Sequence, residues 1–230
     1  MTTATSREAA LRVLQGADWL EHEPPALAEA LLAHGRLLHL NAGEWAQAEG
    51  DDHRGLVVVI SGLVHVSCQA SASRTVLIGH CEAGAVLGHA TRYSGGPRLV
   101  TAVCAEPSVV LAVAERGLED VAAQWPTLWR ALATSAYGYT RRTVRALAEL
   151  VSLPPRQRLA ARLLLMAAAH PASQDPVVRL SQQAIGEMIG VTRKTVNAHL
   201  AAFERAQLVR ASYNRIILRD PQGLQRIADS

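Results

Sequence analysis

The stretch Leu180–Ala206, LSQQAIGEMIGVTRKTVNAHLAAFERA, reads as two short helices joined by a tight turn. Ser181 is placed to cap the first helix, its hydroxyl taking an orphan backbone N–H. Ala184, Ile185, Met188 and Ile189 follow at helical spacing and form one apolar face. Gly190 falls where that helix must stop and the chain must turn, a place where a left-handed backbone is cheap only for glycine. Val191 starts the turn, and Thr192 is placed to cap the second helix. Val196, Leu200 and Phe203 recur one and two turns apart and face the first helix, leaving Arg193, Lys194, Asn197 and Ala198 on the opposite side. This is the layout of a DNA-binding helix-turn-helix, whose second helix enters the major groove by its N-terminal residues. An ordinary helical hairpin with a solvated face shares the pattern, and the sequence on either side separates the two.

Downstream, LVRASYNRIIL (residues 208–218) has two apolar-alternating runs around Tyr213-Asn214, which predicts a β-hairpin wing. Charge is distributed unevenly. The net of +3 is made of −6 over residues 1–126, +3 over 127–153 and +6 over 154–230. An acidic front and a basic back fit a sensor joined to a nucleic-acid binder.

The front half reads differently. Residues 7–34 are helical in pattern, with Pro24-Pro25 opening a second helix. From Leu37 short apolar runs alternate with Gly, Asn and Asp turns, and TVLIGH, AVLGHA, LVTAVC and VVLAVAE follow as further short strands. Regular short strands of this kind predict an antiparallel β-sandwich or roll. The chain has 230 residues, 49% of them hydrophobic, which suffices for one large domain or two small ones. No apolar run reaches membrane-spanning length, and the N-terminus lacks a signal-peptide core, so a cytoplasmic protein is expected. Cys68, Cys81 and Cys104 are odd in number and lack CxxC spacing, which points to buried free thiols rather than a disulfide framework or a cysteine-only zinc site. No Ser/His/Asp arrangement, metal motif or Gly-rich phosphate loop supports catalysis.

Pro126 fits the first turn of a long helix over about 127–151. A stripe of Trp129, Leu132, Ala136, Tyr139, Thr143, Ala146, Leu150 and Leu153 steps alternately three and four residues and predicts a dimer seam, with packing on the β-domain as the alternative. Pro154-Pro155 ends the helix as a hinge, and RQRLAARLLLMAAAH (156–170) opens the last domain.

With VVVISGLVHV, GAVLG, RQRLAARLLLMA and the helix-turn-helix stretch in this order, nearly the whole chain resembles the CRP/FNR family of bacterial transcription regulators. The resemblance implies an α+β fold: an N-terminal antiparallel β-roll over 1–126, a long dimerisation helix over 127–153, and a C-terminal winged helix-turn-helix over 154–230. It implies ligand-controlled transcription by a homodimer on a palindromic double-stranded DNA operator, with RNA polymerase as a further partner and no membrane. Ser181, Gln182 and Gln183 match first-helix residues that touch phosphate in relatives, and Thr192 matches a backbone contact. Arg193, Lys194 and Asn197 match base-reading positions, although many relatives have Glu at the place of Lys194 and Arg at that of Ala198.

Relatives that bind cyclic nucleotides carry Gly-Glu-Leu and, about ten residues on, Arg followed by Ser or Thr. There the Glu accepts a ribose hydroxyl and the Arg pairs with the cyclic phosphate. Here the effector pocket would comprise Gly88, His89, Arg98, Thr101 and Thr143, with His89 in place of Glu, Leu99 in place of the hydroxyl, and Val144 in place of a second hydroxyl on the helix. These departures argue against cyclic AMP. A cyclic dinucleotide or haem remain alternatives, haem because some relatives use a histidine near His89 and this domain holds seven (His22, His34, His39, His53, His65, His80 and His89). The N-terminal cysteine cluster of the iron–sulfur relatives is absent. A haem- or redox-sensing member of the same family, and a regulatory module that binds no DNA, are the competing readings of function.

Overall fold

A computed structural model describes residues 3–89, 95–167, 176–212 and 214–230. The chain divides into two compact units, Met1–Arg141 and Arg142–Ser230. Ala90, residues 168–170 and Tyr213, on which the AVLGHA strand, the helix of the last domain and the wing turn were expected in part, lie outside the described residues.

In the first unit, helices α1 (Thr3–Gln15) and α2 (Pro25–His34) flank a short 3-10 turn at Asp18–Leu20. Eight strands follow: β1 (Gly35–Leu40), β2 (Trp45–Gln47), β3 (Leu56–Ser61), β4 (Val64–Ser71), β5 (Arg74–Cys81), β6 (Val86–Leu87), β7 (Thr101–Cys104) and β8 (Ser108–Val113). They form two antiparallel sheets with orders β1-β8-β3-β6 and β2-β7-β4-β5. The unbroken apolar run Leu56–Ile60 is explained by burial on both faces. Val57 and Val59 join Val64, Val66, Ala102 and Val110 between the sheets. Leu56, Val58 and Ile60 join Leu14, Leu27, Leu31, Leu118 and Leu128 from the helices.

After β8 comes a helix that the strand reading missed, α3 (Glu115–Gln124), which buries Leu118, Val121 and Ala122. The expected strand VVLAVAE stops at Val113, because Leu118 and Val121 repeat at helical rather than strand spacing. Likewise AVLGHA yields only Val86–Leu87, since Gly88 turns with φ +84.

The long helix is α4 (Leu128–Ser152), and it runs across the division between the units. The seam expected on it is displaced by one residue. Leu132 is fully buried in the first unit's core, with Trp129 packed against the same core, and the Tyr139 ring stacks on His89. The apolar side chains left in solvent are Tyr137 (71% exposed), Val144, Leu147 and Val151 (81% exposed), with Thr140 also exposed between them. These keep the three-four spacing, but each stands one position on, which turns the stripe by about 100°. Helical periodicity alone does not say which of two neighbouring stripes the chain buries within itself.

The second unit continues with α5 (Pro155–Ala167), β9 (Val177–Val178), α6 (Gln182–Ile189), α7 (Arg193–Arg205), β10 (Val209–Ser212), β11 (Arg215–Leu218) and α8 (Pro221–Ala228). The sheet order is β10-β11-β9, so the expected hairpin wing is present with a third strand added. Leu159, Leu163, Ile185, Val196, Leu200, Phe203 and Leu224 are its buried apolar side chains. Helix α8, which packs on α5, was not anticipated, although Asp220-Pro221 is a start signal: the Asp220 carboxylate accepts from the Gly223 N–H at 2.8 Å.

Candidate functional site

Helix α6 begins as the sequence suggests, with Ser181 Oγ accepting from the Ala184 N–H at 3.1 Å. It ends at Gly190, whose backbone is left-handed (φ 68°, ψ 37°) and whose N–H bonds back to the carbonyls of Gly186 and Glu187. Thr192 caps α7: its Oγ1 accepts from the Thr195 N–H at 3.2 Å and lies 2.9 Å from the Thr195 hydroxyl. With Val196, Leu200 and Phe203 buried, helical geometry leaves Arg193, Lys194, Asn197 and Ala198 exposed together at the start of the helix. Two cations and an amide therefore stand at the positive end of a helix dipole, an arrangement that attracts phosphate oxygens and offers hydrogen-bond donors. The first-helix residues are less free. The Ser181 hydroxyl is engaged as a cap, and the Gln183 amide donates to Glu187 Oε1 at 2.9 Å. Gln182 is half-buried.

The wing is tied to α7 through Glu204, whose Oε1 accepts from the Ala211 N–H at 2.8 Å. Asn214 turns the hairpin with φ 51, and exposed Arg210 and Arg215 add positive charge on the wing strands. Their basic character was visible in the sequence, but no residue on the wing was singled out there.

In the first unit Gly88, His89 and Arg98 form one cluster. Arg98, only 5% exposed, donates from Nη1 to Gln47 Oε1 at 2.9 Å and from Nη2 to the Gly55 carbonyl at 2.7 Å. Its guanidinium fills the space above Gly88, so that any side chain at Gly88 would collide with it. Burial pushes the Arg98 guanidinium below its ordinary value, and the nearby Asp51 charge opposes this. His89 stacks on Tyr139 with ring centroids 5.6 Å apart. Burial holds its imidazole below the ordinary histidine value, and the Arg98 charge adds to the effect. His89 Nδ1 is buried without a hydrogen-bond partner among the described residues.

The other expected pocket members are not part of this cluster. Thr101 Oγ1 accepts from the Glu49 N–H at 3.0 Å, and Leu99 points into solvent. Thr143 is exposed on α4 in the second unit. Gln47, Gly55 and Tyr139 were missed as partners: the first two carry no local signal, and Tyr139 had been assigned to the seam. The three cysteines are free thiols, with Cys68 only half-buried.

Fold and sites together define a class, that of chains combining a β-roll of the cyclic-nucleotide-binding type with a winged helix-turn-helix. Residues 37–124 match the cyclic nucleotide-binding domain, and residues 157–227 match the Crp-like helix-turn-helix domain. The chain is 26% identical over 210 residues to the CRP-like cAMP-activated global transcriptional regulator of Mycobacterium tuberculosis, spanning 90% of this chain and 93% of that one. Among solved structures, FixK2 of Bradyrhizobium japonicum superposes with a TM-score of 0.74 at 21% identity, covering 84% of this chain and 96% of that one. The c-di-GMP-responsive global regulator CLP of Xanthomonas campestris gives 0.69 at 18% identity, covering 85% and 99%. The last two likenesses are of fold. The chain belongs to the CRP/FNR family; it is a DNA-binding transcription regulator and not an enzyme.

The sign of the His89 effect sets a test. Below about pH 6.5 the unfolded chain takes up a proton that the folded first unit resists, so stability falls as pH falls. Between about pH 7.5 and about pH 5.5 the thermal midpoint should drop less in His89→Gln than in the unaltered chain. Scanning calorimetry across that range checks it, and equal drops would show that His89 titrates normally.

Proposed function

We propose that the chain acts as a homodimer on a palindromic operator, under the control of an effector, other than cyclic AMP, held by the first unit. The observation that carries the DNA reading is the exposed start of α7, where Arg193, Lys194 and Asn197 stand together beyond the Thr192 cap. Arg193 is the residue for a bidentate guanine contact, and Asn197 pairs with adenine. Lys194 has donors only, so it takes guanine or phosphate and cannot accept from cytosine. Ala198 at most touches a thymine methyl. Ser181, Gln182, Gln183 and Thr192 contact the phosphate backbone. Residues 1–126 sense, 127–153 dimerise and 154–230 read DNA; RNA polymerase is the further partner and the cytoplasm the location. No helix among the described residues is long and apolar enough to cross a membrane.

The dimer is supported by the Tyr137–Thr140–Val144–Leu147–Val151 stripe, an apolar three-four seam left in solvent on one chain. Half-sites about one helical turn apart follow from twofold symmetry.

The effector reading is supported by His89. A mostly neutral imidazole stacked on Tyr139 replaces the carboxylate that would accept a ribose hydroxyl. Arg98 is the anion-binding group, and Gly88 leaves room for its guanidinium. Thr101 and Thr143 are the hydroxyls that remain available to the ligand by resemblance to the family.

Three measurements test this reading. Selection from a random DNA pool should return a palindrome whose core differs from that of relatives with Glu and Arg at the places of Lys194 and Ala198. Arg193→Ala should then cost about 1–3 kcal/mol and relax one base position. Light scattering should give twice the 24.6 kDa chain mass, falling to one chain in Leu147→Glu, whose two carboxylates would face each other across the seam. Titration calorimetry with cyclic AMP should show affinity weaker than about 100 µM, since a lost charge-assisted bond costs about 1.5–3 kcal/mol; micromolar binding would refute that part.

A further inference from the structure

We infer that Arg145, Glu149 and Arg162 form a latch that sets the spacing of the two DNA half-sites, by fixing the seam of α4 to the helix-turn-helix inside the second unit. The inference rests on the dimeric reading above and adds to it a determinant of operator geometry.

Glu149 is the starting point. It is 9% exposed on a helix whose neighbouring positions Ala148 and Leu150 are both exposed. A carboxylate withdrawn from water in this way needs cationic partners. One comes from its own helix a turn earlier, Arg145, whose Nε donates to Glu149 Oε1 at 3.0 Å. The other comes from α5. Arg162 is 6% exposed on a helix face otherwise made of Leu159, Leu163 and Met166. Burial pushes its guanidinium below the ordinary value, and the Glu149 charge is what opposes that. Glu149 thus stands between a cation of α4 and a cation of the DNA-binding domain's first helix.

The same turn of α4 reaches the reading head. A Cβ built at Gly190, the turn of the helix-turn-helix, would lie 3.8 Å from Leu150 Cδ2 and 3.7 Å from Arg158 Nη1. Residues 142–152 accordingly fall in the compact unit that holds α6 and α7, although Pro154-Pro155 intervenes in the chain. Val144, Leu147 and Val151 alternate along this segment with Arg145 and Glu149, so one short length of helix shows a seam outward and a latch inward. Where the seam pairs, α7 is then placed. Moving one half-site by a base pair shifts it about 3.4 Å and turns it about 34°, a displacement that a latched pair of reading heads cannot follow.

The test uses the full chain and the palindromic duplex recovered for it from a random pool. Versions with one base pair added or removed at the centre, and a duplex with a single half-site, complete the set. The unaltered chain should lose about 100-fold in affinity on changing the spacing, because the second half-site is no longer engaged. Glu149→Gln, which keeps shape and removes charge, and Arg162→Met should lose less than about tenfold on the same change, with unaltered single half-site affinity and dimer mass. Glu149→Gln carries the comparison if Arg162→Met does not melt cooperatively. Variants that discriminate spacing as the unaltered chain does would overturn the latch alone. An unaltered chain that is monomeric, or indifferent to spacing, would overturn the dimeric reading and the latch with it.

Discussion

A helix can turn only part of its circumference toward its own domain, and α4 carries apolar residues on two stripes. That constraint governs the rest. The first stripe is used at once: Leu128, Ala131 and Leu132 close the helical core over β3, and Tyr139 covers His89. The second, from Tyr137 to Val151, finds no cover within the chain. Apolar surface in contiguous turns of a long helix is stable in water only when something covers it. Because the stripe is a three-four seam, a second copy is the partner it fits, and a twofold DNA reader follows from a chain that by itself holds one reading head.

The helix-turn-helix was legible nearly residue by residue. Its caps, its glycine and its inward face are local chemistry, decided within a few residues of Ser181, Gly190 and Thr192. The β-roll was legible as a class, because short apolar runs punctuated by turn residues admit few other solutions. What could not be read depended on distant partners. Gln47 and Gly55 meet Arg98 across the fold, and neither carries a mark of that role in its neighbourhood. The stripe on α4 was misplaced by one residue for the same reason: periodicity shows that a face exists, whereas the core it meets is built by residues up to 118 positions earlier, as with Leu14 and Leu132. Helix α3 was missed because its apolar residues continue directly from a strand, with Ala114 offering no side-chain cap to announce the change.

The Gly88–His89–Arg98 cluster shows a further limit of motif matching. An arginine at an anion-binding place is usually imagined waiting for its ligand. Here both Nη atoms already have neutral acceptors, so a ligand must exchange with Gln47 and the Gly55 carbonyl rather than fill empty valences. The gain on binding is then the difference between a charged and a neutral acceptor, which favours a strongly anionic ligand over one that relies on hydroxyl contacts.

The pairing of β1 carries a consequence for how this protein is made. Gly35–Leu40 lies at the edge of its sheet with a single neighbour, β8, whose residues Ser108–Val113 are synthesised much later. Until they leave the ribosome, the first strand has nothing to hydrogen-bond with, and the doubly buried β3 lacks its central partner as well. The first domain therefore cannot close progressively as it emerges; it must wait as an open chain and then fold in one late step. The reading head, built from near neighbours in the sequence, has no such delay. A nascent chain of this regulator thus passes through a vulnerable interval early in translation, when chaperones rather than its own contacts keep LVVVI from aggregating.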